Sequence, residues 1–316
     1  MARILVTGGA GFIGSHIAAA LVADGNQVVI LDNFSTGHES NLEEIAGQIT
    51  VERGDLRDMD AVRRATAGCD YVFHEGALAS VPRSVKDPES SNAVNVGGTL
   101  NVLQAARDAG VKRVVYAGSS SAYGNTEVSP KHEGLTPQPL SPYAVSKLAG
   151  EHYCRAFSAV YGLETLSIRY FNVFGPRQDP DSPYAAVLPI FTKELLAGRS
   201  PRIDGDGAQT RDFTYVANVV EGNLRAIAAP KTAGESVNVA CGGSYSVRYL
   251  FDQIRDQLGV DLEPEFGPRR AGDVDHSQAD IALAGELIGY APVVSFEEGL
   301  RRTVDWYRAT ATAGGR

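Results

Sequence analysis

The chain has 316 residues, 43% hydrophobic and 21% charged, with 29 Lys+Arg against 38 Asp+Glu and a formal net charge of -9. That composition excludes a disordered chain, and a pI near 5.2 excludes a broad cationic surface for nucleic acid or an anionic membrane. No apolar run reaches the roughly 18–20 residues of a bilayer span. Met1-Ala2-Arg3 enters a strand with no signal-peptide core. The three cysteines, Cys69, Cys154 and Cys241, are too scattered for a disulfide framework or a metal cluster. The expectation is a cytoplasmic protein with buried thiols.

In chain order, β-branched runs predict strands at 3–7, 27–32, 49–53, 71–74, 113–117 and 164–170, with amphipathic helices at 11–24, 59–67, 94–109 and 142–161. Strands alternating with helices of this length imply right-handed βαβ units and a doubly wound parallel α/β sheet of Rossmann type. After Asn172 the rhythm breaks. Pro and Gly cluster at 175–183 and 198–207, and helical patterns return at 188–197, 216–229, 249–258 and 296–307, with a strand near 236–240. This predicts a Rossmann domain over 1–172, to whose sheet the later strand returns. A smaller mixed α/β lobe occupies 173–316, ending in a frayed tail at 310–316.

Between the first strand and first helix lies Thr7-Gly8-Gly9-Ala10-Gly11-Phe12-Ile13-Gly14. A lone glycine pattern signifies no more than a tight turn; its position gives it meaning. Gly8 permits the turn, Gly11 lets the backbone approach a pyrophosphate, and Gly14 allows close helix–strand packing. The helix start at Phe12 and Ile13 offers free N–H groups to phosphate. Asp32 ends the second strand, where a carboxylate accepts both adenosine ribose hydroxyls and repels a 2′-phosphate, favouring NAD over NADP. Asp55 ends the third strand, placed to reach the adenine amino group or to cap the next helix.

Tyr143 and Lys147 stand at i and i+4, on one face of the helix that begins at Pro142. A phenol titrates near pH 10 and is a poor base at neutrality, but a neighbouring ammonium favours the phenolate. Ser119-Ser120-Ser121 follows another strand of the same sheet, at the strand end where ligands bind in this class of fold. Six scattered histidines with no HExxH give no metal site.

The chain resembles the extended short-chain dehydrogenase/reductases, and within them the UDP-sugar 4-epimerases. The resemblance runs through TGGAGFIGSH (7–16), GDLRD (54–58), NVGGTLNVL (95–103), SSSAYG (119–124), SPYAVSK (141–147), RYFNVFGPRQDP (169–180), RDFTYV (211–216) and RRAGDVDHSQAD (269–280). It implies a tightly bound NAD, a UDP-sugar substrate and a homodimer built on the helices at 94–109 and 142–161. Catalytic roles fall on Ser119, Tyr143 and Lys147, with Ser120 a further substrate contact. Nicotinamide-side roles fall on Asn95 and Tyr170, and adenosine-side roles on Asp32, Asn33, Asp55 and Leu56. On the substrate side it places Asn172, Arg211 and Arg270 at the diphosphate and Asp273 at the uridine ribose. Ala186 and Val187 fall in the nucleotide-side loop, and Ser277 beside the sugar's 2-substituent. Ala186 departs from the Asn of galactose-type enzymes, so only a backbone contact carries over.

Ser120 and Ser121 occupy the positions of the acidic pair that performs elimination in related 4,6-dehydratases, which disfavours that reaction. The expected activity is 4-epimerisation of UDP-GlcNAc/UDP-GalNAc, with UDP-glucose/UDP-galactose second. A UDP-glucuronate 4-epimerase, another reductase or dehydratase of the family, and a regulatory NAD-binding protein are the alternatives.

Overall fold

The computed structural model describes residues 1–181, 186–269 and 274–314. Its first half follows the βα alternation closely: β1 (Arg3–Thr7), α1 (Phe12–Ala23), β2 (Gln27–Asp32), β3 (Ile49–Arg53), α2 (Met59–Thr66), β4 (Tyr71–His74), α3 (Val81–Lys86), α4 (Pro88–Asn92), α5 (Gly98–Asp108), β5 (Arg113–Ser119), α6 (Pro142–Tyr161) and β6 (Glu164–Tyr170). Then come β7 (Val173–Phe174), α7 (Val187–Leu196), β8 (Arg202–Asp204), β9 (Thr210–Arg211), β10 (Thr214–Tyr215), α8 (Val216–Ala228), β11 (Glu235–Val239), β12 (Tyr245–Ser246), α9 (Val247–Leu258), β13 (Glu265–Gly267), β14 (His276–Ser277), α10 (Ala282–Ile288) and α11 (Phe296–Gly314).

Seven strands form one parallel sheet in the order β11-β6-β5-β4-β1-β2-β3. Consecutive residues of β1 point to opposite faces and each face is covered. Ile4 and Val6 join Ile17, Val219 and Ala284 on one side, while Leu5 joins Val62, Val102 and Phe157 on the other. This is the doubly wound Rossmann-type sheet expected. Beyond β6 a separate aromatic core of Phe174, Phe191, Phe213, Phe251 and Phe296 holds short strands and helices together.

Two expectations need correction. The helix expected at 94–109 begins earlier and is interrupted: α4 passes through a π-turn over Ala93–Gly97 into α5. The helix expected to end at Tyr307, with a frayed tail beyond, instead continues through Gly314. Alanines at 309, 311 and 313 favour helix, and the Thr310 and Thr312 hydroxyls donate back to main-chain carbonyls, including Trp306 O and Arg308 O. Helix α3 was not anticipated. It starts at an N-cap, Ser80, whose Oγ accepts from Arg83 N at 3.1 Å, with proline in the first turn.

Candidate active site

The order of the sheet reverses between β4 and β1, and ligands bind at the strand ends beside such a switch. A cavity of about 890 Å³ opens there. Its lining includes Gly8, Gly11, Phe12, Ile13, Gly14, Asp32, Asn33, Asp55 and Leu56, so the residues expected at the phosphate and adenosine end are brought together.

The glycines are sterically required. Gly8 has φ +67, and a Cβ there would lie 2.6 Å from Gly76 Cα; a Cβ on Gly14 would lie 2.3 Å from Gly8 O. Gly11 starts α1 with no side chain to cap it, leaving the helix start to a ligand. Asp32 is buried, and its two oxygens accept from Ala10 N at 2.9 Å and Phe34 N at 2.8 Å. Each oxygen keeps a lone pair for a hydroxyl donor. A glycine cradle, an uncapped helix start and an oriented carboxylate fit a dinucleotide.

Asp55 does not cap α2; Asp58 does, accepting from Asp60 N and Ala61 N. Asp55 instead holds Arg57 through its N and Nε and accepts from Asn33 Nδ2 at 2.8 Å. These donors, the Arg57 guanidinium foremost, hold its carboxyl well below the usual range.

Ser119, Tyr143 and Lys147 are not among the described residues lining either cavity. Ser141 caps α6 by accepting from Ala144 N at 3.1 Å, and Pro142 occupies the first turn. Tyr143 N donates to Ser84 Oγ at 3.0 Å, so α3 fixes where α6 begins. Lys147 is buried, donates from Nζ to Ala117 O at 2.8 Å and lies 5.1 Å from the Tyr116 ring centre. Burial pushes the Lys147 ammonium below the ordinary lysine range. Burial raises the Tyr143 phenol, and the Ser119 hydroxyl beside it pulls in the opposite direction.

Ser119 ends β5 opposite Tyr170 of β6. Its Oγ lies 2.8 Å from Ser121 Oγ and accepts from Ser121 N at 3.2 Å. Ser120 opens the short 3-10 turn that follows.

Asn95 lies in the π-turn, and its amide is engaged within the protein. It accepts from Leu78 N at 2.8 Å and donates to Leu78 O at 3.3 Å and Ser146 Oγ at 3.0 Å. It therefore shapes the cleft through Leu78, a lining residue.

Two residues here escaped the sequence reading. His74 is buried, with Nδ1 2.7 Å from Thr7 Oγ1 and Nε2 2.9 Å from Thr99 Oγ1. Thr99 already donates to Asn95 O, so it accepts from His74 Nε2–H, and Nδ1 accepts from Thr7. Burial lowers His74 to about 3, and this neutral relay braces the glycine turn. Glu75 follows it, lines the cavity, and accepts from Tyr170 Oη at 2.8 Å. The signal for both was the strand end at His74, a position that binds ligand in this fold.

A smaller cavity of about 290 Å³ lies in the second lobe, lined by Asn172, Ala186, Val187 and Arg211 among others. Ala186 also lines the larger cavity, so the two adjoin. Asn172, at φ 35, donates from Nδ2 to Asp212 O at 3.2 Å. Arg211 pairs in register with Ser277, and its Nη1 donates to Thr210 O at 2.8 Å. Ser277 is 5% exposed in β14 and is not among the described residues lining either cavity. Arg270 and Asp273 lie outside the described residues.

Residues 4–240 match the NAD dependent epimerase/dehydratase family. A UDP-glucose 4-epimerase of Mycolicibacterium smegmatis is 42% identical over 97% of this chain and 98% of its own. Among solved structures, the UDP-glucose 4-epimerase of Thermotoga maritima with UDP-glucose is 39% identical. It superposes with a TM-score of 0.93 over 98% of this chain and 99% of its own. The UDP-N-acetylglucosamine 4-epimerase of Methanobrevibacter ruminantium, in complex with UDP-N-acetylmuramic acid, is 41% identical with a TM-score of 0.94. It too covers 98% of this chain and 99% of its own.

Proposed function

Because the chain belongs to the NAD dependent epimerase/dehydratase family, we propose that it binds NAD and inverts C4 of a UDP-hexose, UDP-GlcNAc/UDP-GalNAc first and UDP-glucose/UDP-galactose second. One observation carries the reading: Tyr143 and Lys147 stand on one face of α6 against the Ser119 end of β5, across the sheet edge from the glycine cradle. Bound in the glycine cradle, NAD would supply a reversible hydride acceptor for sugar C4.

The protein's part is proton handling and orientation. Tyr143 takes the proton of the 4-hydroxyl, and Ser119 shares it. Lys147, held by Ala117 O, supplies the positive charge that favours phenolate. Where the two cavities adjoin, the site would let the oxidised sugar present either face of C4 to the cofactor. Ser120 and Ser121 offer no carboxyl pair for elimination, which separates the reaction from dehydration. A UDP-sugar panel read by NMR tests the class of reaction: mass-neutral conversion without added NAD(P)H is expected. Tyr143→Phe should lose well over tenfold in rate; a loss within tenfold, about 1.4 kcal/mol of barrier, would rule out the assignment.

The acetylated preference rests on Ser277. By resemblance a large aromatic side chain here closes the wall beside the sugar's 2-substituent, whereas serine leaves it open. Its register partner Arg211 lines the smaller cavity, which supports a place near the nucleotide sugar. A widened pocket is permissive rather than exclusive, since lost contacts to a small substrate are worth roughly 1–3 kcal/mol. Ser277→Tyr should abolish turnover of UDP-GlcNAc and leave UDP-glucose measurable by coupled assay. Normal UDP-GlcNAc turnover in that variant removes Ser277 as the gate.

A further inference from the structure

Glu75 is a carboxyl inside the cleft that the proton chemistry above does not use. Its main chain is tied to the glycine turn, Glu75 N donating to Thr7 O at 3.2 Å, and its side chain lines the larger cavity. The hydrogen bond it accepts comes from a neutral phenol, Tyr170 Oη at 2.8 Å. That phenol is fixed from behind by Asn223 Nδ2, also at 2.8 Å, and Asn223 is fixed by Val219 O. The arrangement differs from that of Glu151 in α6 and Glu164 in β6. Glu151 and Glu164 each lie against a guanidinium, of Arg169 and Arg113. Glu75 has a rigid neutral donor on one side, the Lys147 ammonium as a charged neighbour that it does not pair with directly, and the cavity on the other. A carboxylate in that position gains stabilisation from a cation that enters the cavity.

We propose that Glu75 is the electrostatic counterpart of the nicotinamide ring, discriminating the cationic oxidised dinucleotide from the neutral reduced one. The inference rests on the dinucleotide reading above and deepens it. An enzyme that must end each turnover with its cofactor oxidised needs the reduced form to be disfavoured. A fixed negative charge at the ring end of the cleft does this without touching the substrate. Tyr170 then acts as a positioning residue, holding the carboxylate rather than exchanging a proton.

The groups around Glu75 define its titration. From α6 it faces Lys147 and Tyr143, and from β6 Tyr170; Glu151 lies one turn beyond Lys147, and the ring of the preceding His74 is turned to Thr7 and Thr99. Burial raises the Glu75 carboxyl, with Lys147 and the Tyr170 hydrogen bond opposing. His74 stays neutral, and burial raises both tyrosines. Lys147, pushed down to about 8 by burial, also takes up a proton in the neutral range, so it is below about pH 7 that Glu75 is the member of this group whose charge changes.

The test needs no sugar. NAD+ and NADH affinities are measured by displacement of NADH fluorescence from the full-length protein. Glu75→Gln should raise the ratio Kd(NAD+)/Kd(NADH) about tenfold, equivalent to about 30 mV for a two-electron couple. Glu75→Asp should recover part of that shift. A structural role alone weakens both dinucleotides together, so a ratio within twofold of wild type overturns the proposal. If Glu75→Gln does not fold, the wild-type protein still decides. Its ratio should rise as the pH is lowered below about 7, where Lys147 is already protonated, and a flat ratio there overturns the proposal. A wild-type protein that binds neither dinucleotide overturns the cofactor reading, and this inference with it.

Discussion

Arg169→Met removes one half of a buried ion pair beneath the reaction floor. Arg169 and Glu151 are 5% and 4% exposed, and the guanidinium meets the carboxylate three times, at 3.1, 3.1 and 2.7 Å. Glu151 would keep a single weak donor, Ser236 Oγ at 3.2 Å. The guanidinium also stacks 4.7 Å from the Tyr123 ring centre, so packing is lost with charge. Removing one partner from such a pair costs about 3–5 kcal/mol, because the surviving charge stays buried. At about 2 °C per kcal/mol for a chain of this size, that is a fall in Tm of about 6–10 °C. The urea midpoint should drop with m unchanged. Glu151→Gln/Arg169→Met, which leaves no orphaned charge, should recover more than half of the loss. A single variant within about 1 kcal/mol of wild type would refute the reasoning, as would a double variant no better than the single.

Gly14→Ala should strip the protein of dinucleotide, because its Cβ would meet backbone atoms, Gly8 O at 2.3 Å and Gly9 Cα at 2.9 Å. Undiminished NAD content after gel filtration would contradict the cradle. The pH profile offers a sign test on Lys147. Burial lowers its ammonium below the ordinary lysine range near 10.4, so the alkaline limb of kcat/KM should fall at lower pH than an ordinary lysine gives. Glu75→Gln should move that limb lower still, since the carboxylate's attraction raises the lysine. Stability should move the other way. Between the folded and unfolded pKa the unfolded chain holds the proton that the folded one has shed, so the Lys147 contribution to unfolding free energy rises with pH across that window. An alkaline limb in the ordinary lysine range would refute the assignment.

The Rossmann half was legible because its signals are local. Gly8, Gly11, Gly14 and Asp32 sit within 25 residues, and the contacts of Gly14 and Asp32 lie inside one βαβ unit, while Gly8 is also held by Gly76 beyond β4. Tyr143 and Lys147 were legible for the same reason, being one helical turn apart. What was hidden depends on pairs far apart in the chain. Glu75 meets Tyr170 across 95 positions, and neither residue carries a pattern that announces the other. Asn95 was placed at the cofactor by resemblance, yet its amide is bonded to Leu78 and Ser146, a geometry set by a π-turn that periodicity does not reveal. Helix α3 hid behind Pro82 and Pro88, which read as loop until Ser80 and Asp87 are seen as caps. At Asp55 the capping alternative fell only when Asp58 proved to be the cap.

The two halves of the site are built to different tolerances, and this bears on substrate choice. The residues proposed for the cofactor side sit at the ends of β1, β2, β4, β5 and β6, four to seven residues long and locked in a continuous ladder. A slip of one residue there would turn every side chain to the wrong face. The residues proposed for the substrate side sit on much slighter supports. Arg211 and Ser277 lie in two-residue strands, and Ala186 precedes the first turn of α7. Changing a side chain there disturbs little of the sheet. Relatives named for UDP-glucose and for UDP-N-acetylglucosamine accordingly superpose on this chain almost equally well, at TM-scores of 0.93 and 0.94. Overall similarity therefore does not discriminate the sugars, and substitution at Ser277 tests their choice where the scaffold is most permissive.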